Sequence, residues 1–389
     1  MSMKIAFVST GYYPVHSGGA SISAQLIVEQ LREAGHEVDV FTTTNRTAGV
    51  TQRQSRLFEL PDGSGTALPT RFEKNYRLVE HSDGFSEYDI IHAYGFGTLP
   101  GLTVGADVPV LGTANNLEWV CINWIGYLRA GCPSYGFREA VSLARDDGYG
   151  PVELPLKLAF ESIFKQLAQR ADRFTTQTPG MKRILGRCGY DAAKIEVIPN
   201  LLDPRFEMRE EIDGRRIIYV GRLAEKKGVD DIIDAYLSLP AEVREQFEFD
   251  IYGSGPLADP IRQYIDSHDG SVSIQYCDYE NLPGVYRGAS VLVHGSKYPE
   301  PFSRTWLEAM ASGTPILCSK NPSSTTILDG IASFYDPFNE RSLDRKLTDI
   351  LTDANQRATM IENGKAALEQ YRPKTVVQQY VSIYEDITE

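Results

Sequence analysis

The 389-residue chain is short of basic charge: 39 Lys and Arg stand against 52 Asp and Glu, a formal net charge of −13. A protein that wraps a nucleic acid presents a basic face to the phosphates, so no nucleic-acid partner is expected. A small anion held by a few local cations remains open. Cysteine is scarce too. Cys121, Cys132, Cys188, Cys277 and Cys318 are odd in number and contain no C-x-x-C pair, which suits a reducing compartment. No apolar run reaches the ~18 residues of a membrane span, and the run in MSMKIAFVST is too short for a secretory signal. The expected location is cytoplasmic, with peripheral contact at the inner membrane face left open. No D-x-D occurs, so no metal bridge to a diphosphate is indicated, and no metal or other cofactor is expected.

What is present is an ordinary globular composition, 42% hydrophobic and 23% charged, in a chain long enough for two domains. Short apolar runs alternate with helical patterns. KIAFVST, HEVDVFTT, YDIIHAYG, PVLGTAN, RFTTQT and KIEVIPN read as strands of a first half. RRIIYVG, FEFDIYG, SVSIQYC, SVLVHGS, TPILCSK and ASFYDP read as strands of a second. Amphipathic stretches such as SISAQLIVEQLREAG, VDDIIDAYLSL and SLDRKLTDILTD lie between them. The alternation predicts an α/β chain with two doubly wound, Rossmann-like domains, residues 1–199 and 200–373. Ligands of such sheets bind at the carboxyl ends of the strands, and a cleft between the domains is the expected site. Residues 45–75 read as surface loops with at most one strand, SRLFELP.

Three stretches carry candidate chemistry. GYYPVHSGGAS (11–21) joins the first strand to the first helix, and Gly18 and Gly19 let backbone amides approach a ligand. It is not G-x-G-x-x-G, and a plain tight turn is its other reading. YVGRLAEKKG (219–228) ends a strand at Gly221 and follows it with Arg222, Lys226 and Lys227. Such cations suit phosphate oxygens, though a solvated basic loop reads the same way. EPFSRTWLE (300–308) places Glu300 before a helix and Glu308 inside it. Ser303 is the expected helix cap, which leaves the amides of Phe302, Ser303, Arg304 and Thr305 for a phosphate. Glu308 lies about 7.5 Å further along the axis. A diphosphate between two polyhydroxy rings fits two carboxylates so placed, because carboxylates accept hydrogen bonds from hydroxyls.

Taken together, in this order, these stretches resemble the retaining glycosyltransferases of glycosyltransferase family 4 ("glycosyl transferases group 1"), whose fold is GT-B. YYPVHSGGASISAQLIVEQLREAGHEVDVFT is similar to that family's first strand, Gly-Gly loop and helix. YVGRLAEKKGVDDIIDAY is similar to its donor-phosphate segment, and EPFSRTWLEAMASGTPIL to its E-x7-E signature. The resemblance implies a nucleotide-diphosphate sugar as donor and a hydroxyl acceptor, with lipid-linked, polysaccharide and small-molecule acceptors all open. It implies that Arg222 and Lys227 hold the diphosphate, Glu308 the ribose and Glu300 the transferred sugar. It also implies that the last helix, 374–389, returns to the first domain, the acceptor side, and that the leaving diphosphate itself takes the acceptor's proton.

Two positions depart from the family pattern. Ser303 replaces the usual glycine of E-P-F-G, and Asn115 stands where a histidine is common. If that histidine assists the reaction, Asn115 must act without transferring a proton. His92 and His16 are the nearby alternatives, and a lone histidine is more often structural. The segment 117–137 is aromatic and reads as an acceptor wall, a membrane patch or a packed helix. Two rival functions are a non-catalytic partner subunit of the same fold and an epimerase or nicotinamide-dependent oxidoreductase. The missing dinucleotide fingerprint counts against the oxidoreductase, and an epimerase would need its own acid and base. Nothing in the sequence bears on oligomeric state.

Overall fold

The computed structural model describes residues 2–14, 16, 18–42, 68–116, 153–207, 214–267 and 271–389. The expected strand SRLFELP, the aromatic segment 117–137, Cys121 and Cys132 lie outside these. Two compact units result. One runs to Leu201 and takes up the chain again at Pro373–Glu389; the other is Leu202–Arg372.

Among the described residues the first unit carries a six-stranded sheet. Its strands are β1 (Lys4–Ser9), β2 (Glu37–Thr42), β3 (Ile90–Tyr94), β4 (Val110–Ala114), β5 (Arg173–Thr176) and β6 (Ile195–Val197). They pair in the order β2-β1-β3-β4-β5-β6, every pair parallel. β3 and β4 bury every residue, as strands covered on both faces must, which is why they read as runs and not as alternations. The strand order reverses between β1 and β3, and loops from those two strands diverge there to form a crevice.

The helix Gly19–Glu33 buries Ile22, Ala24, Ile27, Val28 and Leu31 along one stripe. It stops at Gly35, whose φ of 93° only glycine adopts readily. The amides of Gly35 and His36 close back on Arg32 and Leu31 at 3.0 and 3.1 Å, tying off the last carbonyls. The C-terminal helix Pro373–Thr388 packs on this unit. Val376, Val377, Tyr380 and Tyr384 share one hydrophobic core with Phe7, Ile27, Leu31 and Ile90.

The second unit has its own six-stranded parallel sheet among the described residues, in the order β12-β11-β10-β7-β8-β9. The strands are β7 (Arg216–Val220), β8 (Glu248–Tyr252), β9 (Val272–Gln275), β10 (Ala289–His294), β11 (Ile316–Ser319) and β12 (Ala332–Tyr335). Here the order reverses between β7 and β10, so the loops after those strands form the ligand crevice of this sheet.

Among the described residues, some helices were not legible as such. Residues 68–75, expected as loop, belong to a helix, Leu68–Glu80. The helix Ala354–Ala367 buries only Met360 and Gly364, too sparse a stripe to show helical periodicity.

Candidate active site

In the second unit the loop after β7 and the loop after β10 are stitched together. Gly228 has φ 61°, and a Cβ on it would sit 2.5 Å from the carbonyl oxygen of Gly295. Only glycine permits that approach. The amide of Lys297 donates to the carbonyl of Lys226 at 2.8 Å. The first loop carries Arg222, Lys226 and Lys227; the second carries Glu300. Arg222 and Lys226 are exposed, and Lys227 is half-buried. Gly221 is expected among the donor-binding residues; its N–H donates to the Tyr252 carbonyl at 3.0 Å, so its amide is engaged within the sheet. It serves as a place of close approach, since a Cβ on Gly253 would lie 1.9 Å from the Gly221 carbonyl oxygen.

Glu300 is the hub. Its Oε1 accepts from the Lys227 ammonium and from Tyr298 Oη at 3.1 Å. Its Oε2 accepts from His294 Nε2 at 2.9 Å and Ser296 Oγ at 2.6 Å. Burial pushes the carboxyl up, but the Lys227 ammonium and His294 override it and hold it well below the usual carboxylate range. Burial likewise opposes the Lys227 charge, and Glu300 more than restores it, raising its pKa above the ordinary lysine value. The Lys226 and Lys227 ammonium groups lie 5.1 and 5.0 Å from the centre of the Tyr298 ring. None of His294, Ser296 and Tyr298 stood out in the sequence. Their spacing with Glu300, every second residue, is the signal that was available: in an extended chain alternate side chains share a side.

Eight residues on, a different environment begins. The helix Arg304–Ala311 starts at Ser303, whose hydroxyl does not cap it as expected. That Oγ pairs instead with Thr305 Oγ1 at 2.8 Å. Ser303 therefore gives the opening amides no side-chain cap, and the Trp306 amide closes on the Ser303 carbonyl at 3.3 Å. Phe302 packs against Trp306 and Tyr371, ring centres 5.7 and 5.9 Å apart. Glu308 is buried. Its Oε2 accepts from Tyr286 Oη at 2.8 Å, and its Oε1 lies 3.5 Å from Arg304 Nε. Burial pushes this carboxyl up, opposed by Arg304 and Tyr286. Arg304, expected to act through its backbone amide, also donates from Nη2 to Tyr279 Oη at 2.8 Å. Tyr279 in turn donates to Asp203 at 3.0 Å, and Asp203 holds Arg205 through a 2.6 Å bond to Nη2.

In the first unit, Gly18 and Gly19 open the helix after β1; Gly18 is its cap residue, and both are exposed. Asn115 follows β4, and its Oδ1 would lie 3.4 Å from a Cβ on Gly95, at the end of β3. These residues flank the crevice of the first sheet. His92 does not join them. It is fully buried within β3, Nδ1 bonded to Tyr384 Oη and Nε2 to Thr113 Oγ1, each at 2.7 Å. Burial lowers its pKa to about 3. The catalytic assignment of His92 is corrected: it is a core histidine that ties the C-terminal helix to the sheet. Among the described residues, no three His, Cys, Asp or Glu side chains are grouped to hold a metal ion, and no helix is long and apolar enough to cross a membrane.

Two parallel doubly wound sheets, the second with a cation-lined crevice and a carboxylate at its switch point, have the GT-B architecture. Comparison with known proteins gives the family. Residues 17–206 match the model "Glycosyltransferase Family 4", and residues 205–367 match "Glycosyl transferases group 1". The chain belongs to this glycosyltransferase family, whose members transfer hexosyl groups from nucleotide sugars. It is 26% identical to a glycosyltransferase of Methanocaldococcus jannaschii over 98% of each chain. It is 26% identical to the D-inositol 3-phosphate glycosyltransferase of Kribbella flavida, over 91% of this chain and 86% of that one. Among solved structures, HepE of Anabaena in complex with UDP is similar in fold, with a TM-score of 0.74 and 18% identity over 99% of this chain and all of that one.

Proposed function

We propose that this enzyme transfers a hexosyl group from a nucleoside-diphosphate sugar to a hydroxyl acceptor with retention at the anomeric carbon and without a metal. The observation that carries the reading is the junction at the second switch point. There the loop bearing Arg222 and Lys227 is locked against the loop bearing Glu300, immediately before the helix that starts at Arg304. Arg222 and Lys227 take the diphosphate, with the amides of Phe302, Ser303, Arg304 and Thr305 beside them. Glu308 takes the ribose and Glu300 the transferred sugar. The likeness to a UDP-bound fold makes UDP the first nucleotide to try.

The bond from the anomeric carbon to the leaving diphosphate breaks, and a bond to the acceptor oxygen forms on the same face. The acceptor's proton passes to the departing diphosphate oxygen. The enzyme supplies position and charge stabilisation: the cations of the 222–227 loop meet the negative charge that develops on the diphosphate. Gly18 and Gly19, expected among the donor-binding residues, flank the crevice of the first sheet together with Asn115. Asn115 orients through hydrogen bonds and moves no proton. The acceptor is a hydroxyl of a glycan, a small molecule or a lipid-linked sugar, the last reached by peripheral contact with the cytoplasmic membrane face.

The test is donor turnover with UDP-hexoses in the presence of EDTA, with the anomeric configuration of the product read by NMR coupling. Full activity in EDTA and a retained configuration are expected, and Arg222→Ala should lower turnover at least tenfold while folding is kept, since charged hydrogen bonds contribute about 1.5–3 kcal/mol. An inverted product, loss of activity in EDTA, or parental turnover by the Arg222 variant each overturns its part of the reading.

A further inference from the structure

Glu300 accepts four hydrogen bonds from its own chain, two on each oxygen: Lys227 and Tyr298 on Oε1, His294 and Ser296 on Oε2. A carboxylate offers about four lone-pair positions. None is left for a sugar hydroxyl. We infer that Lys227 is an exchangeable partner: it leaves Glu300 for the donor diphosphate, and the Oε1 position it vacates receives the sugar. Recognition of the sugar is thereby made conditional on the diphosphate. The inference rests on the donor reading proposed above and adds a coupling to it.

The choice of Lys227 among the four follows from burial and charge. His294 and Ser296 are buried, 6% and 1% exposed, and fixed at the end of β10. Tyr298 Oη is a neutral donor whose release gains nothing from an anion. The Lys227 side chain keeps 18% of its surface open and sits on a flexible four-carbon stem. A neutral sugar cannot displace it, because the half-buried ammonium would lose its counter-charge. A diphosphate can, because it replaces one anion with another. Lys227 already borders the loop that carries the exposed Arg222, so the move is short of any rearrangement of β7 or β10.

The exchange has a consequence that runs against simple site-building: Glu300 competes with the diphosphate for Lys227. Removing the carboxylate charge should tighten nucleoside diphosphate binding. Calorimetry with the tightest binder among UDP, GDP and ADP tests this in a double-mutant cycle. Lys227→Met is expected to bind about tenfold or more weakly, and Glu300→Gln about fivefold or more tightly, within the usual range of coupling between sites. In the Lys227→Met background the gain from Glu300→Gln should vanish. A gain that persists there is plain charge repulsion and overturns the exchange, as does no gain in Glu300→Gln alone. If Lys227→Met binds like the parent, or if no nucleotide binds the parent, the donor reading itself fails. Should Glu300→Gln not fold, Glu300→Asp withdraws the carboxylate by one methylene, and the same tightening is expected.

Discussion

Lowering the pH should destabilise the first unit through His92, and the size of the effect can be worked from its surroundings. The imidazole is fully buried, and the charged form is disfavoured by burial, so its pKa falls from 6.5 to about 3 in the folded state. The unfolded chain therefore binds a proton at His92 before the folded chain does. This group's contribution to stability is fully present above pH 6.5 and is lost as the pH falls from 6.5 toward 3. Between pH 7 and pH 5 the loss is about 2 kcal/mol, the difference of the two binding polynomials at 1.36 kcal/mol per pH unit. His92→Gln keeps a polar side chain between Tyr384 and Thr113 but cannot titrate. It should be less stable than the parent at pH 7 and should lose less on going to pH 5. Amide hydrogen exchange at Ile90–Tyr94, corrected for the intrinsic pH dependence, reads the first unit without assuming that both units unfold together. Equal pH slopes for parent and variant would refute the reasoning. The folded variant should also keep its transfer rate at pH 7, which separates a core histidine from a catalytic one.

Two further outcomes test the second unit. Glu308→Gln keeps size but removes charge from a carboxylate held by Tyr286 and Arg304; it should weaken nucleoside diphosphate binding by about tenfold or more, from about 1.5–3 kcal/mol for a hydrogen bond to a charged group. Unchanged calorimetric affinity with a lowered melting temperature would make Glu308 a packing residue. Gly228→Ala forces a Cβ into φ 61° and to 2.5 Å from the Gly295 carbonyl oxygen, so it should destabilise the second unit by about 1–2 kcal/mol or more and displace Lys227. Parental stability in urea unfolding and parental nucleotide affinity together would show that the two loops are not locked as described.

The strands were legible because doubly wound sheets bury both faces: IIHAY in β3 and ASVLVH in β10 read as runs without any partner in view. Glycine stops were legible for the same local reason, as at Gly35. The helix Ala354–Ala367 was not, because a helix that buries only Met360 and Gly364 leaves no stripe. At the site, Lys227 and Glu300 were visible as residue types, but not as a pair. They are 73 residues apart, and what joins them is the switch in strand order between β7 and β10, together with a glycine that has no Cβ. His92 was misplaced because a histidine within an apolar strand looks the same whether it faces a ligand or a tyrosine. The deciding partner, Tyr384, lies 292 residues away on the terminal helix.

The two glutamates of EPFSRTWLE show how one residue type is put to opposite electrostatic use within three turns of chain. A carboxylate removed from water must be compensated or it takes up a proton. Glu300 is compensated by Lys227, Tyr298, His294 and Ser296, and stays ionised despite its burial. That environment suits a group that must hand over one partner and accept another without ever becoming neutral. Glu308 has Arg304 on its own helix and Tyr286 from the short helix Leu282–Tyr286 before β10, and burial still pushes its carboxyl up. Its guanidinium partner is itself anchored away, through Tyr279 to Asp203 and Arg205. The first carboxylate is thus held by a partner that an anionic ligand can take, and the second by Tyr286 and Arg304, both buried, with Arg304 anchored in turn by the buried Tyr279. A donor whose diphosphate lies between them meets a movable charge on one side and a fixed one on the other. On that basis the exchange at Lys227, and not the order of strands or the glycine loops, is what commits the site to a complete sugar donor over its separate parts.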